Sequence, residues 1–307
     1  VFTLHQPSFV AYITYAKNRA RRAEIWRAYN SRAYGDAYDN RATICELVAL
    51  KTERAKLLGY DTHADFTLSE RMAKSSDRVF EFIHDLLASY KPAAIRDLND
   101  LRTYAERVDG LSEADFAPWD TAYYREKLQQ ERFHFSSEDV RPYFPLERVL
   151  SGTFQHFEKL FGVRFVANTA YPTWHRDVTA YDVFDTTDDQ FLGVLYADFF
   201  PRTGKQSGAW MTTYRDQGLR DGDIKRPLVA IVCNFTKPTG DTPSLLTHEE
   251  VLTLFHEMGH AMHRMLSDVT YASVSGTNVK WDFVELPSQI QENWGYEPET
   301  LALIAGH

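Results

Sequence analysis

One segment, residues 245–266, constrains the rest of the chain because it combines a strong helix signal with two histidines at metal-binding spacing. Thr247 followed three residues later by Glu250 has the pattern of a capping box, which marks the beginning of a helix. The apolar residues that follow recur at helical spacing: Val251, Leu254, Phe255, Met258, Met262 and Met265. The segment therefore predicts an amphipathic helix with one buried face.

The polar residues of this helix include a His-Glu-x-x-His motif made of His256, Glu257 and His260. Histidines four positions apart lie about one turn apart on one face of a helix, so both imidazoles can reach a single metal ion. Burying these side chains in an apolar helix is costly unless a partner such as zinc binds them. Glu257 lies about 100° around the helix from His256, close to the metal without binding it. The motif predicts a zinc site in which Glu257 is the general base.

A catalytic zinc site takes three protein ligands, so a third must come from elsewhere in the chain. In metzincin sites the third ligand is a histidine six residues after the second histidine of the motif, and a glycine lies three residues after that second histidine. This chain has Leu266 and His263 at those two positions. A downstream carboxylate remains, and six qualify by residue type: Asp268, Asp282, Glu285, Glu292, Glu297 and Glu299. The periodicity predicts a second helix over 282–292, so its early carboxylates Asp282 and Glu285 are the favoured candidates.

The hydrophobic pattern divides the chain into a helical part and a part that contains a sheet. Helices are predicted over 10–29, 40–58, 77–109 with a break near Pro92, 121–133 and 146–161. Short runs rich in β-branched and aromatic residues predict about five strands, over 163–166, 180–184, 191–200, 209–213 and 228–235. We predict a mainly α-helical α+β fold, in which residues 1–162 are helical and residues 163–307 form a small sheet and the zinc-binding helices.

The other histidines and one further polar group are predicted to be structural. His175, Asp177 and Asp198 are interpreted as hydrogen-bonded side chains in a loop beside the sheet. His263 lies close to the metal-binding face of its helix and is interpreted as a packing residue, with a place beside the metal as the alternative. His248, near the helix start, is predicted to be a surface residue and not a ligand.

Composition and charge exclude two classes of partner. The formal net charge is −9, and no basic run is long enough to follow a phosphate backbone, so nucleic acid is not an expected partner. No apolar run approaches the ~20 residues of a membrane span, so a membrane is not expected either. With 44% hydrophobic residues the chain has the composition of a folded protein, for which we expect a cytoplasmic location.

Several blocks of the sequence match those of a known family in content and order. The most specific are residues 254–263, 275–278, 282–289 (Asp282-Phe-Val-Glu-Leu-Pro-Ser-Gln289) and 292–294; others are 119–124, 141–145, 174–177, 196–200 and 208–211. These blocks resemble the thimet oligopeptidase family of zinc metallopeptidases, the group of neurolysin, oligopeptidase A and bacterial peptidyl-dipeptidase. The resemblance covers nearly the whole chain and is strongest to the bacterial peptidyl-dipeptidases.

The resemblance implies a fold and a complete ligand set. Glu285 would be the third ligand of a single zinc ion, beside His256 and His260. The fold of the family is a mostly helical ellipsoid divided by a deep substrate channel, and residues 1–162 would form a wall of that channel. Such a channel admits short peptides and excludes folded proteins.

The activity that the resemblance implies is hydrolysis of short oligopeptides by a zinc-activated water, with Glu257 as general base. The likeness of residues 40–44, 119–124 and 275–278 to bacterial members favours release of C-terminal dipeptides, a peptidyl-dipeptidase activity. An endo-acting oligopeptidase such as oligopeptidase A is the alternative within the family. Outside it, the alternatives are a non-catalytic peptide-binding helical module and a hydrolase that uses a pair of carboxylates without a metal.

The resemblance also predicts that this chain is truncated. The sequence begins with Val1, and family members continue past the position of His307 into a helical segment whose histidine and tyrosines bind substrate and stabilise the oxyanion. We therefore expect the chain to bind zinc and to hydrolyse peptides weakly by itself, because each lost transition-state hydrogen bond typically costs ~10²- to 10³-fold in rate. The missing C-terminal part of its own protein is an expected partner, and a targeting segment in a missing N-terminus is compatible with this view.

Overall fold

The structure, a computed structural model, describes residues 2–307 and confirms a mainly helical α+β fold. It divides into two compact units, one ending at Phe135 and the other spanning Ser136–His307. The predicted division after residue 162 marks a different feature, the change from helices to strands along the chain. No helix within residues 2–307 is long and apolar enough to cross a membrane.

The first unit is formed by helices and their connections. In chain order they are α1 (Gln6–Tyr15), α2 (Arg19–Asn30), α3 (Arg41–Leu57), α4 (His63–Leu68), α5 (Ser76–Asp109) and α6 (Pro118–Phe133). The prediction of one helix over 10–29 is wrong, because Asn18 begins a new helix by accepting a hydrogen bond from the backbone of Arg21. The predicted break near Pro92 is also wrong: α5 continues through this residue, although proline removes one of its hydrogen bonds.

The second unit contains a mixed β-sheet. After α7 (Leu146–Phe161) come β1 (Val163–Ala167), β2 (Val178–Asp185), β3 (Phe191–Asp198), β4 (Trp210–Arg215), β5 (Gly218–Arg220), β6 (Asp223–Lys225) and β7 (Leu228–Val232). Within residues 2–307 the strands form a five-stranded sheet in the order β1-β2-β3-β7-β4 and a separate hairpin of β5 and β6. Strands β3 and β7 are parallel, and the other neighbours are antiparallel. Strand β4 is therefore at an edge of the sheet.

The remaining helices follow the sheet, and α8 packs on it, while α10 packs on α8 and α11 on α7. They are α8 (His248–Met265), α9 (Trp281–Val284), α10 (Leu286–Glu292) and α11 (Pro298–Ile304). The predicted apolar face of α8 is buried: Val251, Leu254 and Phe255 are completely inaccessible and share a core with Val229 and Ile231 of β7. Each such side chain contributes about 1.5–3 kcal/mol on burial, which holds α8 firmly on the sheet.

Asp198, at the end of β3, is the buried carboxylate among the three polar residues His175, Asp177 and Asp198. It accepts hydrogen bonds from both terminal nitrogens of Arg202 at 2.7 and 2.8 Å, from Lys205 Nζ at 2.8 Å and from Trp174 Nε1 at 2.9 Å. Burial acts to raise the pKa of this carboxyl, but the three donors outweigh it and lower the pKa to about 2. The interpretation of Asp198 as a hydrogen-bonded structural residue is therefore confirmed, although it belongs to strand β3 and not to a loop.

We expect Asp198→Asn to destabilise the protein most at neutral pH and less in acid. A carboxyl whose pKa is lowered by folding contributes stability that is present above its unfolded value of 3.8 and lost as the pH falls through about 2. This shift corresponds to about 2 kcal/mol. Free energies of unfolding from urea titrations between about pH 7 and pH 2.5 should show the gap between wild type and variant narrowing in acid.

The matched control for this prediction is Asp189→Asn. Asp189 pairs with Arg164, but its side chain is 79% exposed. We expect this substitution to change the free energy of unfolding by less than about 0.5 kcal/mol at every pH. A gap for Asp198→Asn that is the same at every pH would contradict the assigned role of the carboxylate.

Candidate metal centre

Helix α8 begins with the capping box that the sequence predicts. The backbone N–H of Glu250 donates to Thr247 Oγ1 at 3.1 Å, and the backbone N–H of Thr247 donates to Glu250 Oε2 at 2.8 Å. The second carboxylate oxygen of Glu250 accepts a hydrogen bond from the backbone N–H of Thr236 at 2.9 Å. These contacts fix the start of the helix against the segment that leaves β7, and the motif histidines lie two and three turns further along.

Three side chains with metal-binding atoms converge beside α8. His256 Nε2 and His260 Nε2 each lie 3.1 Å from Glu285 Oε2. In the described part of the chain, 2–307, these residues form the only group of three or more histidine, cysteine and acidic side chains that could hold a metal ion, and their donor atoms all lie within 4.8 Å of one another. A tetrahedral zinc ion with bonds of about 2.0–2.1 Å separates its donors by roughly 3.3 Å. The three residues therefore fit zinc in both ligand type and spacing.

Glu285 lies at the junction between α9 and α10. The prediction of a single helix over 282–292 is wrong here, because the chain forms two short helices that meet at this residue. Ser288 is completely buried and its Oγ donates to Glu285 Oε2 at 2.8 Å. Burial acts to raise the pKa of Glu285, but the bond from Ser288 and the imidazoles of His260 and His256 outweigh it and lower the pKa. The carboxylate is thus held in place and in the ionised form that a metal ligand requires.

Glu292 orients one of the two imidazoles. Its Oε1 lies 2.7 Å from His256 Nδ1, on the side of the ring away from Glu285. A proton on Nδ1 that is donated to Glu292 leaves the lone pair of Nε2 directed at the candidate metal position. The sequence pattern includes Glu292 only as a candidate ligand. Its position near the donor group could have been predicted from the spacing. Glu292 follows Glu285 by seven residues, about two helical turns, which places both side chains on the same face.

We expect Glu292→Ala to weaken zinc binding by about 10- to 100-fold, the usual effect of removing a group that orients a metal-binding histidine. Zinc affinity measured by competition with a chromophoric chelator would show the change. Glu299→Ala is the matched control, because Glu299 is an exposed glutamate of the following helix and is outside the donor group. An unchanged affinity in Glu292→Ala would contradict the role of this carboxylate.

Glu257 lies next to the donor group inside the protein. It is 4% exposed, and its Oε2 is buried without a hydrogen-bond partner in residues 2–307. Burial raises the pKa of this carboxyl to about 7; His256 acts to lower it and Glu285 to raise it further. A carboxyl with this pKa can exchange a proton near neutral pH, which is the property of a general base or acid.

Gly259 allows α8 and α10 to approach each other closely. A Cβ atom at this position would lie 2.7 Å from both Pro287 O and Ser288 Cα, closer than real side chains pack. The absence of a side chain therefore lets α10 approach α8 closely, with Glu285 and Glu292 beside the histidines of α8. The sequence pattern did not identify Gly259, although a glycine inside a helix costs about 1 kcal/mol relative to alanine and indicates a packing reason.

The other histidines of α8 are outside the donor group. The ring of His263 packs at 6.3 Å from that of Phe283, between centroids, and burial lowers the pKa of His263. His248 Nε2 lies 2.9 Å from Gly295 O, and its ring packs against Tyr296. His263 is therefore a packing residue, as interpreted from the sequence. His248 is not a ligand, but it links α8 to the segment before α11 and is not a free surface residue.

The fold and the donor group together define a class of protein: an α+β protein with two histidines on a helix that packs against a sheet, and a carboxylate beside them, as a candidate metal centre. Within that class the chain belongs to Peptidase family M3, because residues 12–307 match the profile of this family. The resemblance found in the sequence blocks is thereby confirmed.

Individual relatives agree with the family. The chain is 41% identical over 313 residues to oligopeptidase A of Haemophilus influenzae and 38% identical over 314 residues to oligopeptidase A of Escherichia coli, and both alignments cover 100% of this chain and 46% of the relative. It is 36% identical over 293 residues to the dipeptidyl carboxypeptidase of Escherichia coli, covering 95% of this chain and 42% of that protein. The chain therefore spans about half the length of the curated relatives it matches.

Proposed function

We propose that this protein is a zinc-dependent metallopeptidase of short peptides, and that His256, His260 and Glu285 hold one zinc ion. The observation that supports this most directly is the 3.1 Å approach of both imidazoles to one carboxylate oxygen, with a buried glutamate beside them. A zinc ion bound there acts as a Lewis acid that polarises a carbonyl oxygen and lowers the pKa of water. Membership of a peptidase family supports peptides as the substrates.

Glu257 is the proposed general base. Its carboxyl has a pKa of about 7, and its buried Oε2 has no competing hydrogen-bond donor within the described residues, so it can accept a proton from the attacking water. The resulting carboxylic acid then donates this proton to the leaving amine of the cleaved peptide bond. Glu292 and Ser288 keep His256 and Glu285 from turning away while this happens.

Strand β4 is the proposed binding element for the substrate backbone. Within residues 2–307 it pairs with β7 on one side and has no strand on the other. Helix α8 packs against β4, so the strand edge and the donor group belong to neighbouring elements. An extended peptide can add to such an edge through main-chain hydrogen bonds, which accept many different sequences.

Two cleavage modes are proposed for this site. The sequence blocks at 40–44, 119–124 and 275–278 favour release of C-terminal dipeptides. Internal cleavage is supported by the identities, since relatives named oligopeptidase A share 38–41% of their aligned residues with this chain and the dipeptidyl carboxypeptidase shares 36%. The chemistry at Glu257 is the same in both modes, and only the requirement for a free C-terminus differs.

A further polypeptide segment is the proposed partner of this chain. The first half of α5 exposes a stripe of large apolar residues at helical spacing, Phe80, Ile83, Leu87 and Tyr90, which are 48–68% exposed. Apolar stripes of this kind mark surfaces that another protein element covers. We propose that the covering element corresponds to the part of the relatives that this chain does not match. A cytoplasmic location and the absence of nucleic-acid and membrane partners remain predictions.

Fluorogenic peptides with a free or an amidated C-terminus test the proposed function. We expect hydrolysis to stop when a chelator removes the metal and to return when zinc is added. We expect the 307-residue chain to act slowly alone and faster when it is supplied with the matching segment of a relative. Amidation should stop dipeptide release but leave internal cleavage unchanged. Hydrolysis that persists at full rate without any metal would contradict the proposal.

A further inference from the structure

Arg264, in the last turn of α8, is a buried arginine whose hydrogen bonds join three segments. Its side chain is 8% exposed. Nη1 donates to Asp216 Oδ1, just after β4, and to Ser275 O at 3.0 Å, while Nη2 donates to Asn278 Oδ1 at 3.0 Å. A buried guanidinium is costly to desolvate, so its position depends on these acceptors remaining in place.

The turn at residues 275–278 is shaped to the Arg264 side chain. Gly276 has a φ of +52°, a left-handed conformation that favours glycine. A Cβ atom there would lie 2.9 Å from the Cα atom of Arg264, so any larger residue would push the turn away. Ser267 holds the same turn from the other side, because its Oγ accepts a hydrogen bond from the backbone N–H of Gly276 at 3.0 Å. The turn therefore has one position relative to α8.

A second contact fixes the beginning of the same loop. Gln217 is completely buried, and its amide pairs with both backbone groups of Val269: Nε2 donates to the carbonyl at 3.0 Å, and the N–H donates to Oε1 at 2.9 Å. The backbone N–H of Leu219 donates to Thr270 O at 2.9 Å. The loop of residues 267–280, which connects α8 to α9, is thus attached to α8 and to the segment that follows β4.

We propose that Arg264 is a positioning residue for the third metal ligand. Arg264 and the two histidine ligands belong to one rigid helix, whereas Glu285 follows a loop of fourteen residues, 267–280, that contains only one short helical turn. A free loop of this length would leave Glu285 many positions, and ordering it costs conformational entropy. Arg264 holds residues 275–278 against α8. It thereby fixes where α9 begins, and so how far Glu285 lies from the two histidines. This inference rests on the proposed metal centre.

Arg226 offers a matched comparison that separates positioning from ordinary stabilisation. It lies just before β7 and is partly buried, and its guanidinium donates to the carbonyl of Met265, the last residue of α8, at 2.8 Å and to Leu192 O at 2.9 Å. Both acceptors lie outside residues 267–280. Removing either guanidinium leaves buried acceptors unpaired and should lower the melting temperature. Only the loss of Arg264 should also change zinc binding.

The experiment measures zinc affinity by chelator competition, and melting temperature, for wild type, Arg264→Met, Arg264→Lys and Arg226→Met in the 307-residue chain. We expect Arg264→Met to weaken zinc binding by about 10- to 100-fold and Arg226→Met by less than about threefold. Arg264→Lys should be intermediate, because an ammonium pairs with Asp216 but lacks the planar fork that reaches both other acceptors. With cobalt(II) in place of zinc, the visible absorption should change in the two Arg264 variants and stay unchanged in Arg226→Met.

Wild-type zinc affinity in Arg264→Met, or an equal loss in Arg226→Met, would overturn the proposal. If Arg264→Met does not fold, Asn278→Ala replaces it, because this change removes one acceptor and keeps the arginine. We expect Asn278→Ala to weaken zinc binding at least about threefold, and an unchanged affinity would likewise overturn the proposal. A wild-type chain that binds no zinc would contradict the metal centre and this role together, whereas zinc binding that no variant alters would contradict this role alone.

Discussion

Replacing Glu257 by Gln should reduce peptide hydrolysis by about 10²- to 10⁴-fold, the usual contribution of a positioned general base. The amide keeps the size and shape of the buried side chain, but it cannot accept the proton of the attacking water. We expect zinc affinity to stay within about twofold of wild type, because Glu257 is not in the donor group. Initial rates with a fluorogenic peptide, together with zinc titration, measure both effects.

The stability of the metal-free variant is an independent check on this result. A carboxyl whose pKa is raised from 4.5 to about 7 by folding lowers stability as the pH rises through that range, because the buried anion must lose its hydration. The neutral amide removes this cost, so metal-free Glu257→Gln should be at least as stable as wild type at about pH 8. Glu249→Gln, an exposed glutamate in the first turn of α8, is the control and should leave rate and stability unchanged. Hydrolysis within about tenfold of wild type in Glu257→Gln would contradict the assigned role.

Replacing Glu285 by Ala should weaken zinc binding by at least about 100-fold, more than the loss of a group that only orients a ligand. The substitution leaves two imidazoles, and zinc sites of this kind use three protein ligands. The fold should tolerate the change, because the Glu285 side chain is 50% exposed. Chelator competition at neutral pH measures the affinity.

Asp282→Ala is the informative control for Glu285→Ala. Both residues are carboxylates at the start of the region that follows the loop, and sequence spacing alone leaves both open as the third ligand. In the structure Glu285 is in the donor group and Asp282 is not. We therefore expect Asp282→Ala to bind zinc as wild type does. A loss of zinc in Asp282→Ala with binding retained in Glu285→Ala would reverse the assignment.

The sequence alone was sufficient to predict helix α8, because every local signal agrees there. The capping box of Thr247 and Glu250, the apolar spacing and the two histidines one turn apart all describe a helix with a buried face, and the structure contains it. Strands of the main sheet could be predicted for the same reason, since their β-branched runs are bounded by turn residues. The hairpin of β5 and β6 was missed, because its two strands are three residues long and mostly exposed.

The parts of the centre that could not be predicted depend on contacts between distant segments. Glu292 reaches His256 across 36 residues because Gly259 lets α10 approach α8, and no local pattern encodes that distance. The hydrogen bonds of the buried Arg264 also join segments that are separated in the chain. The sequence alone does not distinguish a buried arginine of this kind from an arginine on the surface of a helix, because its hydrogen-bond acceptors lie in other segments.

Helix boundaries failed where local pattern and tertiary packing disagree. Helical periodicity runs on from α1 into α2, but the chain turns at 16–18 and Asn18 caps the second helix. Pro92 predicts a break, yet α5 continues through it. In the region of 282–292 the periodicity is correct, but the residue that interrupts the helix is Glu285 itself.

The most direct test of this account is the zinc content of the purified 307-residue chain, determined by elemental analysis after dialysis against metal-free buffer. We predict about one zinc ion per chain, since His256, His260 and Glu285 form a single three-donor site. The zinc should be lost from a His256→Ala, His260→Ala double variant that still folds. A correctly folded wild-type chain without zinc, or zinc that remains in the double variant, would contradict the account.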